Sequence, residues 1–294
     1  MPVEIKLASK RKELEQYVPM EGMHYVTPGE VITEDSGFMK GHGCFGDEAN
    51  RMAASVAGVV EQINKLICVK PFRTRYNGEV GDVVVGRITE VGQKRWKVDT
   101  YARLDSVLLL SAVNLPGGEQ RRRTAQDELL MRGYLVEGDI VVAEVQSVFN
   151  DGSLSLHTRN LKYGKLPQGI VIKVSPSLVK VCKSHVHNLS CGATVILGNN
   201  GYIWIGPLMS AESDLSVRNK DKSSEDVALS DREVIVRLRN GLLALAKYGV
   251  QLYDTSVNYV YDATLKYAVK DLLREEIQEQ IVDVTRRNLA MQMQ

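Results

Sequence analysis

The side chains best suited to chemistry in this sequence are basic, and they fall in two short clusters. Lys94-Arg95-Trp96-Lys97 follows a run of β-branched residues, and Arg121-Arg122-Arg123 follows a Gly-Gly turn. A guanidinium offers a rigid fork of donors that matches phosphate oxygens, and three adjacent ones are costly to bury. They must therefore meet water, an acidic protein patch or phosphate. Trp96 could stack on a base beside Arg95. In a strand, however, Trp96 and Val98 share one face while Arg95 and Lys97 share the other, which predicts Trp96 as core. The expected phosphate contacts are Lys94, Arg95, Arg103, Arg121, Arg122, Arg123 and Arg159. Arg103 and Arg159 could equally serve internal ion pairs.

Other constellations point away from catalysis. Gly41-His42-Gly43-Cys44-Phe45-Gly46 has the spacing of a dinucleotide fingerprint, but no buried strand leads into it and no βαβ unit follows. Cys182, His185, His187 and Cys191 fall close together, yet their spacing is not that of a usual zinc finger. Free thiols beside a histidine pair are the plainer expectation. No His-Glu-x-x-His helix, phosphate-binding Walker loop or nucleophile elbow occurs. No cofactor and no metal are expected. Gly198-Asn199-Asn200-Gly201 has the Gly-x-x-Gly form of a KH loop, which clamps a nucleic-acid backbone. Its flanks read as strands and it carries no basic residue, so a structural hairpin turn is expected there.

The elements that must position the basic side chains are short strands. Gly81-Asp82-Val83-Val84-Val85 is echoed by Gly138-Asp139-Ile140-Val141-Val142, each a Gly-Asp turn followed by β-branched residues. Between them lie Arg95–Thr100 and Asp105–Leu110. A fifth candidate, Ser153–His157, follows the turn Asn150-Asp151-Gly152. Five strands with one long connection before the fourth suit an OB-type Greek-key barrel, a fold that binds oligonucleotides. The long connection should contain a helix over Thr124–Gly133.

The 294 residues allow two or three domains. A net charge of +1 with 25% charged residues describes an ordinary globular chain, so local clusters rather than bulk charge must carry any nucleic-acid argument. No apolar run approaches the ~20 residues of a membrane span, and the N-terminus lacks the pattern of a secretory signal. Cys44, Cys68, Cys182 and Cys191 are sparse and irregularly spaced, as expected of free thiols in a reducing compartment.

Along the chain, residues 1–24 read as an arm, 25–72 as a small β domain, 73–160 as the barrel and 161–294 as an α+β domain. In the first β domain, strands are expected over Ala53–Val60 and Gln62–Val69, joined near Gly58 or Asn64-Lys65. In the last, Gly169–Val174 is a strand and Ser175 is expected to cap a helix that starts with Pro176. Ala193–Leu197 and Tyr202–Ile205 form a hairpin. Ala211–Asp226 reads as a polar loop. Ser230-Asp231-Arg232-Glu233 has the form of a capping box. Ile235, Leu238, Leu242 and Leu245 mark one helical face that ends at Gly249. A second helix is expected within Ser256–Tyr267. A third, over Asp271–Leu289, would bury Leu273, Ile277, Ile281 and Val284.

Taken together, several phrases resemble the RNA-binding cap subunits of the eukaryotic RNA exosome. They include Val26-Thr27-Pro28-Gly29-Glu30, Gly37-Phe38-Met39-Lys40-Gly41-His42-Gly43 and Gly86-Arg87-Ile88-Thr89-Glu90-Val91. Arg95-Trp96-Lys97-Val98, Asn114-Leu115-Pro116-Gly117-Gly118, Ser155-Leu156-His157-Thr158-Arg159 and Ile196–Ile205 extend the likeness along almost the whole chain. The resemblance implies a multidomain β and α+β fold: a small N-terminal β domain, an S1-type OB-fold barrel and a C-terminal divergent KH domain. It implies a non-catalytic subunit that holds a ring of RNase-PH-like proteins together. Such a subunit guides single-stranded RNA to a separate 3′-to-5′ exonuclease. The implied partners are RNA, ring subunits, other S1/KH caps and associated exonucleases, with no membrane. The implied setting is ribosomal RNA processing and messenger RNA decay in nucleus, nucleolus and cytoplasm. Two rival readings remain at this point: a scaffold whose barrel touches only protein, and an RNA hydrolase with a dispersed site.

Overall fold

Seventeen short strands and a handful of helices make up the chain in a computed structural model, which describes residues 24–35, 37–47, 51–72, 75–114, 124–160, 162–208 and 227–292. The N-terminal arm, Ser36, Arg121-Arg122-Arg123, the Leu115–Gly118 turn and most of the Ala211–Asp226 loop lie outside the described residues. Two compact units divide after residue 74.

The first unit is all β. Its strands are β1 (Tyr25–Val26), β2 (Val31–Thr33), β3 (Met39–Lys40), β4 (Cys44–Gly46), β5 (Met52–Ala54), β6 (Gly58–Ile63) and β7 (Leu66–Pro71). They form one sheet in the order β1-β6-β7-β3 and a second in the order β2-β5-β4. The expected strand over Ala53–Val60 is two strands, because the chain breaks between Ala54 and Gly58. The β6–β7 hairpin turns at Asn64-Lys65, with Asn64 left-handed at φ 56°. Gly58 instead lies inside the pairing, where a Cβ would sit 2.1 Å from the Lys70 carbonyl oxygen. Gly41 and Gly43 serve similar close approaches to the β7 backbone, and a strand rather than a helix follows them.

The second unit opens with the barrel. Its strands are β8 (Val83–Val91), β9 (Arg95–Asp99), β10 (Ser106–Val113), β11 (Ile140–Val148) and β12 (Leu154–Thr158). The order β12-β10-β9-β8-β11 closes through a β11–β12 pairing, and β10 runs parallel to β12. This is the OB arrangement. The repeated Gly-Asp phrase has a structural counterpart. Gly81 and Gly138 both take φ +94°. Gly81 donates its N–H to Val145 O and Gly138 donates to Ile88 O, so each turn locks onto the strand that the other one starts. Asp82 accepts from the Glu79 N–H and Asp139 from the Val136 N–H, closing equivalent turns three residues back. The expected helix in the long connection is two short pieces, Ala125–Leu129 and Met131–Tyr134. Strand β13 (Gly164–Lys165) then pairs with β11.

The α+β part has β14 (Ile170–Lys173), β15 (Val186–Asn188), β16 (Ala193–Leu197) and β17 (Tyr202–Pro207), in the antiparallel order β14-β17-β16-β15. Helices Leu229–Lys247, Asp254–Thr264 and Glu275–Gln292 pack with this sheet around one core. Ile235, Leu238, Leu242 and Leu245 are buried as the periodicity predicts, and Gly249 follows the helix end at φ +69°. Three local expectations need correction. Ser230 does not cap: the helix begins at Leu229 with Ala228 at its N-cap, and the Ser230 hydroxyl donates to Asp231. Ser175 makes no cap hydrogen bond, and only a 3₁₀ turn, Pro176–Leu178, follows it. Leu273 is 55% exposed while Leu272 is buried. A 3₁₀ turn over Asp271–Leu273 advances three residues per turn and so shifts the apolar phase by one position. No described helix is long and apolar enough to cross a membrane.

Candidate nucleic-acid interface

Strand β9 settles the role of Trp96 by alternation. Trp96 and Val98 are fully buried in the barrel core with Ile88, Leu108 and Leu156. The Trp96 indole N–H donates to Leu135 O at 3.2 Å, so even its polar edge is used internally. Arg95 and Lys97 therefore point outward. Across the ladder Arg95 faces Leu109, which is 38% exposed, and Lys97 faces Val107. With Glu90, Gly92 and Gln93, Arg95 and Lys97 line an open cavity of about 410 Å³. Lys94 takes φ +58° in the β8–β9 turn.

Two of these cations have protein partners. Lys97 Nζ lies 2.6 Å from Glu90, and that contact holds the Glu90 carboxyl below its ordinary range. Lys94 Nζ lies 3.0 Å from Glu128. Both pairs are exposed, so solvent and salt screen them and a phosphate could compete at little cost. Arg95 is exposed, and no hydrogen bond or ion pair engages its guanidinium among the described residues. Lys97, placed on this face by alternation but not counted among the expected contacts, belongs with Arg95.

The other expected contacts do not all gather here. Arg159 follows β12, whose parallel pairing with β10 puts it at the barrel end that carries the β8–β9 turn. It is exposed, and its carbonyl accepts from Asn114 Nδ2 at 2.7 Å. Arg103 lies in the β9–β10 connection, at the opposite end of the antiparallel pair. Its guanidinium donates to Asp151 O at 2.9 Å and ties that connection to the β11–β12 turn. Arg121, Arg122 and Arg123 lie outside the described residues.

The Gly198–Gly201 turn does something that the sequence did not disclose. It plugs into the barrel. Asn200 is 0% exposed; its Nδ2 donates to Val85 O at 2.7 Å and Thr100 O at 2.9 Å, and its Oδ1 accepts from Val85 N. Asn199 donates its backbone N–H to Val83 O and its side-chain amide to Asp82. Gly198 packs so closely that a Cβ would lie 3.1 Å from Val85 N and 2.6 Å from Tyr202 O. Around this plug, Val83, Val85, Val142 and Leu166 form one apolar cluster with Ile196 and Trp204. A loop consumed in this way is not free to clamp a nucleic-acid backbone.

His185 is buried with Nδ1 2.8 Å from Leu197 O, and burial lowers the His187 pKa. Cys182 and Cys191 are free thiols, and among the described residues no group of three or more His, Cys, Asp or Glu could hold a metal.

Comparison with known proteins agrees with this architecture. The family model "RRP4, S1 domain" matches residues 75–147, "KH domain" matches 169–210, and "Exosome complex exonuclease RRP4 N-terminal region" matches 25–63. The chain is 58% identical over 293 residues to exosome complex component RRP4 of Bos taurus, covering 99% of each chain. It is 57% identical over 290 residues to the protein of that name from Mus musculus, covering 98% of each. The namesake from Schizosaccharomyces pombe is 41% identical over 279 residues, which is 91% of this chain and 84% of that one. An OB barrel of S1 type, a KH sheet riveted to it and likeness at this level along nearly the full length place the chain in the exosome complex component RRP4 family.

Proposed function

We propose that this RRP4-family chain is a non-catalytic cap: it guides single-stranded RNA across the outer face of its barrel toward a nuclease carried by another subunit. The observation that carries the reading is the partnerless, exposed Arg95 beside Lys97 and Lys94 on one outward face. An OB barrel presents its nucleic-acid face on these strands and their loops. Residues 25–72 and 161–294 are assigned mainly to gripping a ring of RNase-PH-like subunits and neighbouring S1/KH caps. Residues 73–160 are assigned to RNA. Arg159, Arg103 and the Arg121–Arg123 run extend the contact set. Nucleus, nucleolus and cytoplasm are the proposed settings, with ribosomal RNA precursors and messenger RNA among the substrates.

The test is the salt dependence of binding by the full chain to a labelled oligouridine. Each phosphate contact contributes about 0.7 to the single-strand slope of log K against log salt. Arg95→Gln is expected to lower the slope by about that amount, and an unchanged slope removes Arg95 from the interface. The labelled RNA is expected to stay intact when divalent metal is added. Degradation by the purified chain would refute the non-catalytic role.

One observation favours a second reading, a scaffold whose barrel meets only protein. Lys94 and Lys97 already hold acidic partners, so the free positive charge of the face is smaller than its sequence suggests. Crosslinking RNA to the assembled complex separates the two readings. Adducts on β9 and its turn support guidance, and their absence supports the scaffold.

A further inference from the structure

At the far end of β9 from the Lys94 turn, barrel and KH sheet enclose a second cavity, of about 240 Å³. Arg87 and Asp99 line it from the barrel, and Lys173 and Tyr202 from the KH sheet. Its geometry follows from two registers. Arg87 pairs with Asp99 across β8 and β9, and Lys173 pairs with Tyr202 across β14 and β17. Arg95, Lys97 and Asp99 are alternate outward residues of one strand, so the cavity lies ~13 Å along β9 from Arg95. The basic face described above thus runs directly into the seam.

The seam is built with unusual care. Tyr101 takes φ +61°, a left-handed conformation that is unfavourable for a bulky residue and that clusters at functional positions. Asp99 holds it there: Oδ1 accepts the Tyr101 N–H at 2.9 Å, and Oδ2 accepts the Tyr202 hydroxyl at 3.2 Å. The Tyr101 and Tyr202 rings lie 5.8 Å apart at 33°, and Lys173 Nζ sits 3.6 Å from the Tyr101 centroid. Because the carboxylate is occupied by both tyrosines, it does not cancel the nearby cations. Arg87 is exposed, and no hydrogen bond or ion pair engages its guanidinium among the described residues.

We propose that this seam is a nucleotide subsite for single-stranded RNA, in which Arg87 and Lys173 hold phosphodiester oxygens and the cavity beside Tyr202 receives one base. The proposal rests on the RNA-guiding reading above and adds the KH sheet to the path. A volume of about 240 Å³ is below the ~300–1,000 Å³ of pockets that enclose whole small molecules, and it suits a single planar group. Flat aromatic walls beside cations are how proteins hold a strand without reading its sequence. Asp99 acts as a positioning residue, since it fixes both tyrosines and need not touch RNA.

The experiment measures salt-dependent binding of a labelled twelve-nucleotide oligouridine to the full chain. The variants are Arg87→Gln with Lys173→Gln, Arg95→Gln alone, and Lys173→Arg. The double variant is expected to lower the slope by about 1.4, two contacts at about 0.7 each, while Lys173→Arg leaves it unchanged. Both side chains are exposed, so thermal melting should not move. If Arg95→Gln lowers the slope and the double variant does not, the seam subsite is overturned and the guiding function stands. If the wild-type chain shows no salt-dependent binding at all, both are overturned.

Discussion

Replacing Asn200 by alanine is expected to destabilise the second unit by about 3 kcal/mol, although the residue sits in a turn and touches no ligand. The side chain is fully buried and makes three hydrogen bonds to the barrel backbone. Truncation leaves two carbonyls and an N–H of the barrel without these partners, and a buried polar group left unpaired costs about 1–3 kcal/mol. Not all of them stay dry once the side chain is gone, so the low end of the summed cost is the expected one. Melting should fall by about 6–12 °C for a unit of this size. Both tryptophans of the chain, Trp96 and Trp204, lie in the second unit, so their fluorescence follows its unfolding alone. Asn200→Asp sharpens the test. It keeps the size but removes both N–H donors and sets a carboxylate against two carbonyl oxygens. It should be at least as damaging as alanine at neutral pH. A neutral Asn200→Asp would sink the hydrogen-bond account.

That turn also marks the limit of what the sequence disclosed. Strands β8 to β12 were legible because each alternates in its own few residues, and the doubled Gly-Asp phrase signalled two equivalent strand starts. Trp96 was assigned to the core by the same alternation. Gly198-Asn199-Asn200-Gly201 was legible as a turn, since glycine at Gly201 supplies φ +80°. Its docking site was not, because Val85 and Thr100 are about a hundred residues away in sequence and no local pattern encodes that meeting. Helix ends failed for a different reason. Ser230 satisfies a capping motif, yet its hydroxyl prefers the adjacent Asp231 carboxylate, and the choice between such partners is decided by tertiary placement. Leu273 failed through a change of helical period that periodicity analysis cannot anticipate. Of the basic residues, Arg95 was readable from alternation. Arg87 and Lys173 meet only when barrel and KH sheet are docked.

Trp96 carries the other large expected effect, and it also guards against misreading a binding experiment. The indole is 0% exposed and fills the barrel centre. Trp96→Ala is expected to cost about 3–5 kcal/mol, the range for deleting a large buried aromatic side chain and leaving a cavity. RNA binding would fall with it, because Arg95 and Lys97 are positioned by the same strand. An assay of binding alone would then credit Trp96 with stacking on a base. Trp96→Phe separates the two accounts. The ring still fills most of the volume but cannot donate to Leu135 O, so stability should drop by about 1–2 kcal/mol, mostly from the carbonyl left unpaired. The salt slope of RNA binding should be unchanged below the melting transition, since no phosphate contact has been removed. Urea unfolding followed by the remaining Trp204 fluorescence, with anisotropy of labelled RNA on the same samples, reads both quantities. A Trp96→Ala chain that unfolds like wild type but binds RNA tenfold more weakly would mean that the indole reaches the strand after all, and the outward face of β9 would have to be reassigned.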